Sequence, residues 1–217
     1  MPIAIFNGVV VESEPVSGIA ESIQEVEEVG LRCGVQVREG SHPRVEEEVA
    51  QLGLTERVDM PGMTAAPEEL ADVQVPELEI VRVGDDEGLA EAARIAAEGG
   101  GAPLEYMQAL YARGVVGLDG NRVYLGRVEG ETVTTAIGYR TGGDVAIFSV
   151  ATLPERRRRG YGAAITAHAA RQGFEHGADL AWLQTSKIGE SVYRRLGFRH
   201  VVMHLMLGRP RPHMVDR

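Results

Sequence analysis

The sequence is poor in several things, and each shortage excludes a class of protein. It has one cysteine, Cys33, in 217 residues, so no internal disulfide can form and a reducing cytoplasm is the expected compartment. Nothing around Cys33 suggests a thiolate nucleophile, and it reads as a small buried residue. No apolar run approaches the ~20 residues that span a bilayer, so no membrane partner is expected. The opening Met-Pro-Ile-Ala-Ile-Phe-Asn-Gly lacks a charged n-region and a cleavage site, which predicts no secretory leader. Positive charge is in deficit: the formal net charge is −10, which argues against nucleic acid as a partner. The local arginine run lacks the interleaved aromatics of a single-strand binder. Six histidines are scattered without ligand spacing, so no metal site is expected.

What is present suffices for an ordinary core, with 44% apolar residues in a chain long enough for one large or two small domains. The most informative stretch runs from Phe148 to Ala163. Val145 to Thr152 is β-branched and apolar, bounded upstream by Gly142-Gly143-Asp144, and predicts a strand. Pro154 ends it, having no N–H to give to a ladder. From about Arg159 the spacing of Ala163, Ala167, Ala170 and Phe174 predicts a helix. Its first turn carries Gly160 and Gly162, preceded by four arginines, Arg156 to Arg159.

That order suits an anion. The first N–H groups of a helix have no internal partner, and the helix dipole favours negative charge there. Glycines let a phosphate approach the backbone, and guanidinium groups add planar donors. A solvated basic run beside a tight turn is the alternative. A P-loop is excluded because no Gly-Lys-Ser/Thr follows, and the glycine triplet of a dinucleotide fingerprint is missing.

Arg157-x-x-Gly160-x-Gly162 after a strand resembles the acetyl-CoA motif of the GCN5-related N-acetyltransferases (GNAT). The likeness continues through Gln184-Thr-Ser-Lys-Ile-Gly-Glu and Ser191-Val-Tyr-Arg-Arg-Leu-Gly-Phe198, and covers about Leu78 to Leu207. It implies an α/β fold with a mixed, mostly antiparallel central sheet flanked by helices, and acetyl-CoA as cosubstrate. By the same resemblance, Arg157, Arg158, Arg159, Gly160, Tyr161, Gly162 and Ala163 hold the diphosphate, and Val150, Ala151 and Thr152 lie along the pantetheine. In the family this strand splays from the next at a bulge, so an N–H near Val150 or Ala151 faces the thioester oxygen. The tyrosine before Leu-Gly-Phe, here Tyr193, is often the acid that protonates the departing thiolate. Its place on the helix, about 100° round from Val192, lets it stand at the cleft rather than in the core, with an edge-packing tyrosine as the alternative. Ser186 is a further cofactor contact, or a helix cap.

The resemblance implies N-acetylation of a small-molecule amine by direct transfer. A non-catalytic acyl-CoA-binding or regulatory module is the rival, since the expected base is missing. Phe148 to Thr152 has no carboxylate, and Glu105 and Glu131, the nearest candidates by family position, read as surface charges. Tyr106, Met107 and Tyr111, at helical spacing, read as core or as a wall of the acceptor pocket. A tandem-domain relative making a cysteinyl thiol such as mycothiol fits less well, because only one half keeps the CoA motif.

The rest of the chain falls into three expected parts: an α/β arm over 1–75, the acetyltransferase domain over 76–208, and a flexible tail over 209–217. In the arm, Ile3 to Val11 predicts a strand or hairpin. Glu14 to Val29 predicts a helix with the stripe Ile19, Ile23, Val26 and Val29, Cys33 to Val37 a strand, Val45 to Leu52 a helix and Leu54 to Met60 a strand. This order matches that after Val145, with Leu52-Gly53-Leu54 standing where Leu196-Gly197-Phe198 stands later. Two readings are open: a decayed half of the same fold, or an unrelated arm with generic spacing. Packing, shaping the substrate cleft and dimerisation are the roles open to it. Met60 to Glu79, with Pro61, Pro67 and Pro76, reads as the connection. In the second part the pattern predicts a strand over 78–83, helices over 86–97 and 104–112, and strands over 122–128, 132–139 and 145–152. A strand over 180–184, a helix over 188–196 and a strand over 198–207 follow.

Overall fold

A computed structural model describes residues 7–12 and 18–210. The beginning of the first strand, the entry to the first helix and most of the tail lie outside the described residues. The chain forms two compact units. The first takes Met1–Gly62, Thr185–Ile188 and Val201–Arg217; the second takes Met63–Gln184 and Gly189–His200.

In the first unit, β1 (Gly8–Val10) runs parallel to β2 (Gly34–Arg38), with α1 (Ile19–Glu28) between them in sequence. Next come α2 (Pro43–Gln51) and β3 (Glu56–Ala65), and β2 pairs antiparallel with the late strand β9 (Arg199–Gly208) from Gly34↔Gly208 to Arg38↔His204. Ile19, Ile23, Val35, Val37, Val45, Val49, Leu205 and Leu207 bury together with Cys33. The expected stripe of α1 holds through Val26, but Val29 is 70% exposed. It caps the helix end just before Gly30, whose φ of 75° turns the chain away. Burial pushes the Cys33 thiol above its usual range, which suits an inert residue.

β3 extends beyond the expected strand, through Pro61 and Gly62 into the stretch read as a connection. The Pro61 carbonyl accepts from the Thr185 N–H at 3.0 Å, so the proline still serves through its acceptor. A Cβ on Gly62 would lie 2.6 Å from the Val202 side chain, an approach only glycine permits. Arg209, read as the first residue of a flexible tail, is pinned: Nη2 donates to Glu27 at 2.7 Å and Nη1 to the Leu52 carbonyl at 2.9 Å.

The second unit is a meander. β4 (Glu79–Val83), β5 (Asn121–Val128), β6 (Glu131–Thr141) and β7 (Asp144–Thr152) pair antiparallel in turn, and β8 (Leu180–Gln184) lies parallel to β7. The period of two sorts their side chains. Val123, Leu125 and Ile137 pack with Leu89, Ala92, Ala93 and Ala96 of α3 (Asp86–Gly100) and with Met107 of α4 (Leu104–Leu110). Tyr124, Ala136, Val145 and Ile147 pack with Ile165, Ala169 and Ala170 of α6 (Tyr161–Glu175). Asp85 caps α3 by accepting from the Gly88 N–H at 2.8 Å, and Gly101 ends it at a φ of 68°. The short α5 (Arg113–Val116) has too few residues to show a period. The last helix, α7 (Lys187–Arg195), leads through Gly197, φ 95°, to Phe198 and β9.

Candidate active site

The site is built where β7 parts from its neighbour. Ala146 pairs with Trp182 at the end of the parallel ladder, and among the described residues no ladder joins Phe148–Thr152 to β8. On its other edge β7 follows β6, but with a slip: Ile137 pairs with Phe148 and Thr135 with Ala151. That register leaves an extra residue on β7, a bulge at Ser149 and Val150, with Ser149 at a φ of 53°. Bulges re-aim a strand and free backbone groups from the ladder. Beyond it two threonine hydroxyls secure the strand end, Thr134 Oγ1 donating to the Ala151 carbonyl at 2.8 Å and meeting Thr152 Oγ1 at 2.9 Å. The expected splay near Val150 and Ala151 is therefore present as a bulge and an open edge.

The four arginines that follow divide their work. Arg156 pairs with Glu131, which consumes one of the two carboxylates considered as a base. Arg157 donates through Nε to the Thr152 carbonyl at 3.3 Å and through Nη2 to the Gly99 carbonyl at 2.9 Å. Its guanidinium thus joins the end of β7 to the last turn of α3. Arg158 and Arg159 are exposed and have no side-chain partner among the described residues. Arg158, at φ 62°, and Gly160, at φ 85°, turn the chain into α6.

No side chain caps α6. Its first turn therefore presents the N–H groups of Tyr161, Gly162 and Ala163 without an internal acceptor, and the helix behind them is 15 residues long. A Cβ on Gly162 would stand 3.3 Å from Thr152 Oγ1, so the glycine keeps strand end and helix start in close contact. The Tyr161 side chain is buried and its hydroxyl donates to Glu77 at 3.4 Å, which leaves only its backbone for a ligand.

Tyr193 reaches the same helix. Its ring lies edge-on to Phe198, centroids 6.1 Å apart, and its hydroxyl is near Thr166, which donates to the Gly162 carbonyl at 2.7 Å. The ring is half-buried and packs against the α6-side core. Helical spacing places Tyr193 beside Val192 but says nothing of Phe198, whose ring draws it inward. Burial raises the Tyr193 pKa above the usual tyrosine value, and the Thr166 side chain offsets part of the rise. A hydroxyl so placed keeps its proton at neutral pH.

Ser186 is exposed and belongs, with Thr185 and Lys187, to the first unit. Val150, Ala151, Thr152, Arg157 to Ala163 and Tyr193 all belong to the second unit. Glu105 is exposed on α4. Sequence reasoning read Tyr111 as core or pocket wall and missed its bond to the bulge: fully buried beneath α3 and α4, it donates from its hydroxyl to Ser149 Oγ at 2.9 Å. The two are far apart in the chain, and the only signal was a hydroxyl set among apolar strand residues. Among the described residues no cluster of metal-ligating side chains occurs.

A mostly antiparallel sheet, a bulged strand feeding a glycine-lined helix start, and a tyrosine packed beside that helix together define a fold of the acetyltransferase kind. Residues 119–200 match the acetyltransferase (GNAT) domain family. The chain is similar to a GCN5-related N-acetyltransferase from Kribbella flavida, at 24% identity and a TM-score of 0.70 over 97% of this chain and 81% of that one. A second, from Sphaerobacter thermophilus, matches at 22% identity and 0.60, over 88% and 65%. A GCN5-related N-acetyltransferase-like protein from Streptococcus suis matches at 15% and 0.62, over 93% and 79%. No curated protein sequence matches. The chain thus has the GNAT fold, and the match to the GNAT acetyltransferase domain family falls on residues 119–200 of it.

Proposed function

We propose that the protein is an acetyl-CoA-dependent N-acetyltransferase that acetylates a small-molecule amine by direct transfer. The observation that carries this reading is the continuity of β7, its bulge and the uncapped start of α6: an open strand edge leads straight to a set of bare helix amides. Tyr161, Gly162 and Ala163 offer three N–H groups to a diphosphate, and Arg158 and Arg159 supply guanidinium groups with no other partner among the described residues. Val150, Ala151 and Thr152 present backbone groups along which a pantetheine arm can lie as an added strand.

Acetyl-CoA supplies an acyl group activated as a thioester. The N–H at Val150 or Ala151 is the oxyanion donor, an interaction worth about 10²–10³ in rate when well aimed. Tyr193 is the acid that protonates the departing sulfur, its proton secured by burial. No carboxylate is assigned as base: Glu131 is held by Arg156, so the amine enters in its neutral form. The buried, unreactive Cys33 agrees with a reducing cytoplasm, and among the described residues no helix is long and apolar enough to cross a membrane.

Thiol release from acetyl-CoA against a panel of small amines tests this. Turnover with one of them, reduced in Tyr193→Phe, supports the enzyme. If acetyl-CoA binds, no amine is acetylated and Tyr193→Phe changes nothing, the chain is a non-catalytic acyl-CoA-binding module.

A further inference from the structure

Ser149 is unusual in backbone and side chain together. Its φ of 53° lies in the left-handed region, which glycine, asparagine and aspartate enter far more readily than serine. Strained residues of this kind gather at functional sites, and the inference runs from the observed outlier to the function. Ser149 stands on the bulge, one residue before the amide assigned to the thioester oxygen, and it is half-buried.

The hydroxyl protons around it can be placed one by one. Thr135 Oγ1 donates its only proton to the Tyr124 carbonyl at 3.0 Å, so it can offer Tyr111 no more than an acceptor. Tyr111 Oη donates to Ser149 Oγ at 2.9 Å. Tyr111 is fully enclosed by the core under α3 and α4, so its hydroxyl cannot turn to water. Ser149 thus accepts from Tyr111, and no acceptor for its own proton occurs among the described residues. A serine hydroxyl that already accepts from a neighbour is a better donor, because each bond in such a chain polarises the next.

We propose that Ser149 is a catalytic residue: its hydroxyl donates to the thioester carbonyl oxygen as a second oxyanion donor beside the Val150 amide, and Tyr111 is the positioning residue that orients it. This rests on the acetyltransferase reading. As the amine nitrogen bonds to the carbonyl carbon, the C–O π pair moves onto oxygen, where the Ser149 O–H and the Val150 N–H meet it. The pair then returns, the C–S bond breaks, and the sulfur leaves with the Tyr193 proton. The surplus proton of the new amide passes to bulk water, which also restores Tyr193. Ser149 keeps its proton throughout.

The test uses the full chain and acetyl-CoA labelled with ¹³C at the thioester carbonyl. Two quantities are read in the wild type, Ser149→Ala, Ser149→Gly and Tyr111→Phe: the ¹³C shift of the bound carbonyl, and thiol release with hydroxylamine as a small acceptor. Loss of the donor is expected to slow thiol release about 10²-fold in both serine variants and to move the carbonyl resonance upfield, with CoA affinity unchanged. Ser149→Gly is the decisive variant, because glycine relaxes the left-handed backbone. It should melt no lower than the wild type and still be slow. Tyr111→Phe should give a smaller loss and a partial upfield shift. Wild-type rates and an unmoved resonance in Ser149→Gly would overturn the proposal and leave the acetyltransferase reading standing. A wild type that binds no acetyl-CoA would overturn both.

Discussion

The guanidinium of Arg157 donates to the carbonyl oxygen of Gly99 at 2.9 Å. With its second bond, to Thr152, it ties the loop before α6 to the C-terminal turn of α3, where unpaired carbonyls attract a cation. Arg157→Ala is therefore expected to lower stability by about 0.5–1.5 kcal/mol, small because the group is exposed. It should weaken CoA binding only through the loop, with an unchanged salt dependence. The double variant Arg158→Ala/Arg159→Ala should melt like the wild type while losing affinity and salt dependence together. CoA titration at two ionic strengths, with a thermal melt of each variant, separates the two roles.

Gly160 and Gly162 should fail for different reasons. At φ 85° a Cβ on Gly160 is strained by roughly 1–2 kcal/mol, so Gly160→Val is expected to lower both stability and CoA affinity. Gly162→Val has ordinary backbone geometry, but its side chain starts 3.3 Å from Thr152 Oγ1. It should push the helix start from the strand and abolish CoA binding at a smaller cost in stability. Wild-type affinity in both would place the cofactor away from this helix.

The seating of α6 on β7 can be tested far from the ligand. A Cβ at Gly173 would lie 2.5 Å from the Cβ of Val145, on backbone that cannot yield cheaply. Gly173→Ala should lose about 1–3 kcal/mol, the usual range for overpacking. Chemical denaturation reads that loss directly. A variant as stable as the wild type would show that helix and strand are not in close contact.

Alkali should unfold the protein in two stages. Burial raises Cys33, and it also raises Tyr111, Tyr124 and Tyr193. A group whose folded pKa exceeds its unfolded value holds a proton that the unfolded chain has released, so stability is full below the unfolded pKa and falls as pH rises through the folded one. The decline should begin above about pH 8.5 with Cys33 and steepen above about pH 10 with the tyrosines. Urea midpoints at intervals from pH 7 to 11 measure this. Cys33→Ala should remove the first stage, and a midpoint constant across the range would contradict the burial of these groups.

Much of this fold was legible because it is local. β5 to β8 lie within two residues of the expected strands, since alternation and glycine turns are short-range signals, and Asp85 with Gly101 bounds α3 as caps do. The Arg-x-x-Gly-x-Gly stretch announced the helix start for the same reason. Pairing across the fold was not legible. Arg157 looked like a phosphate ligand because a guanidinium suits either partner, and only the approach of α3 shows which carbonyls it meets. Tyr111 and Ser149 share no sequence signal, since a hydrogen bond between a helix and a bulge depends on the register slip between β6 and β7. The continuation of β3 through Pro61 and Gly62 was hidden by residues that ordinarily break strands.

The placement of β9 governs how the molecule can be dissected. Leu205 and Leu207 complete the apolar interior around Ile19, Ile23, Val35 and Val37, and they come from the far end of the chain. A fragment ending near residue 75 would lack the antiparallel neighbour of β2 and leave that interior open to water. Separate expression of the front portion should yield aggregate, whereas supplying residues 199–210 in trans, or fusing them by circular permutation, should restore a soluble protein.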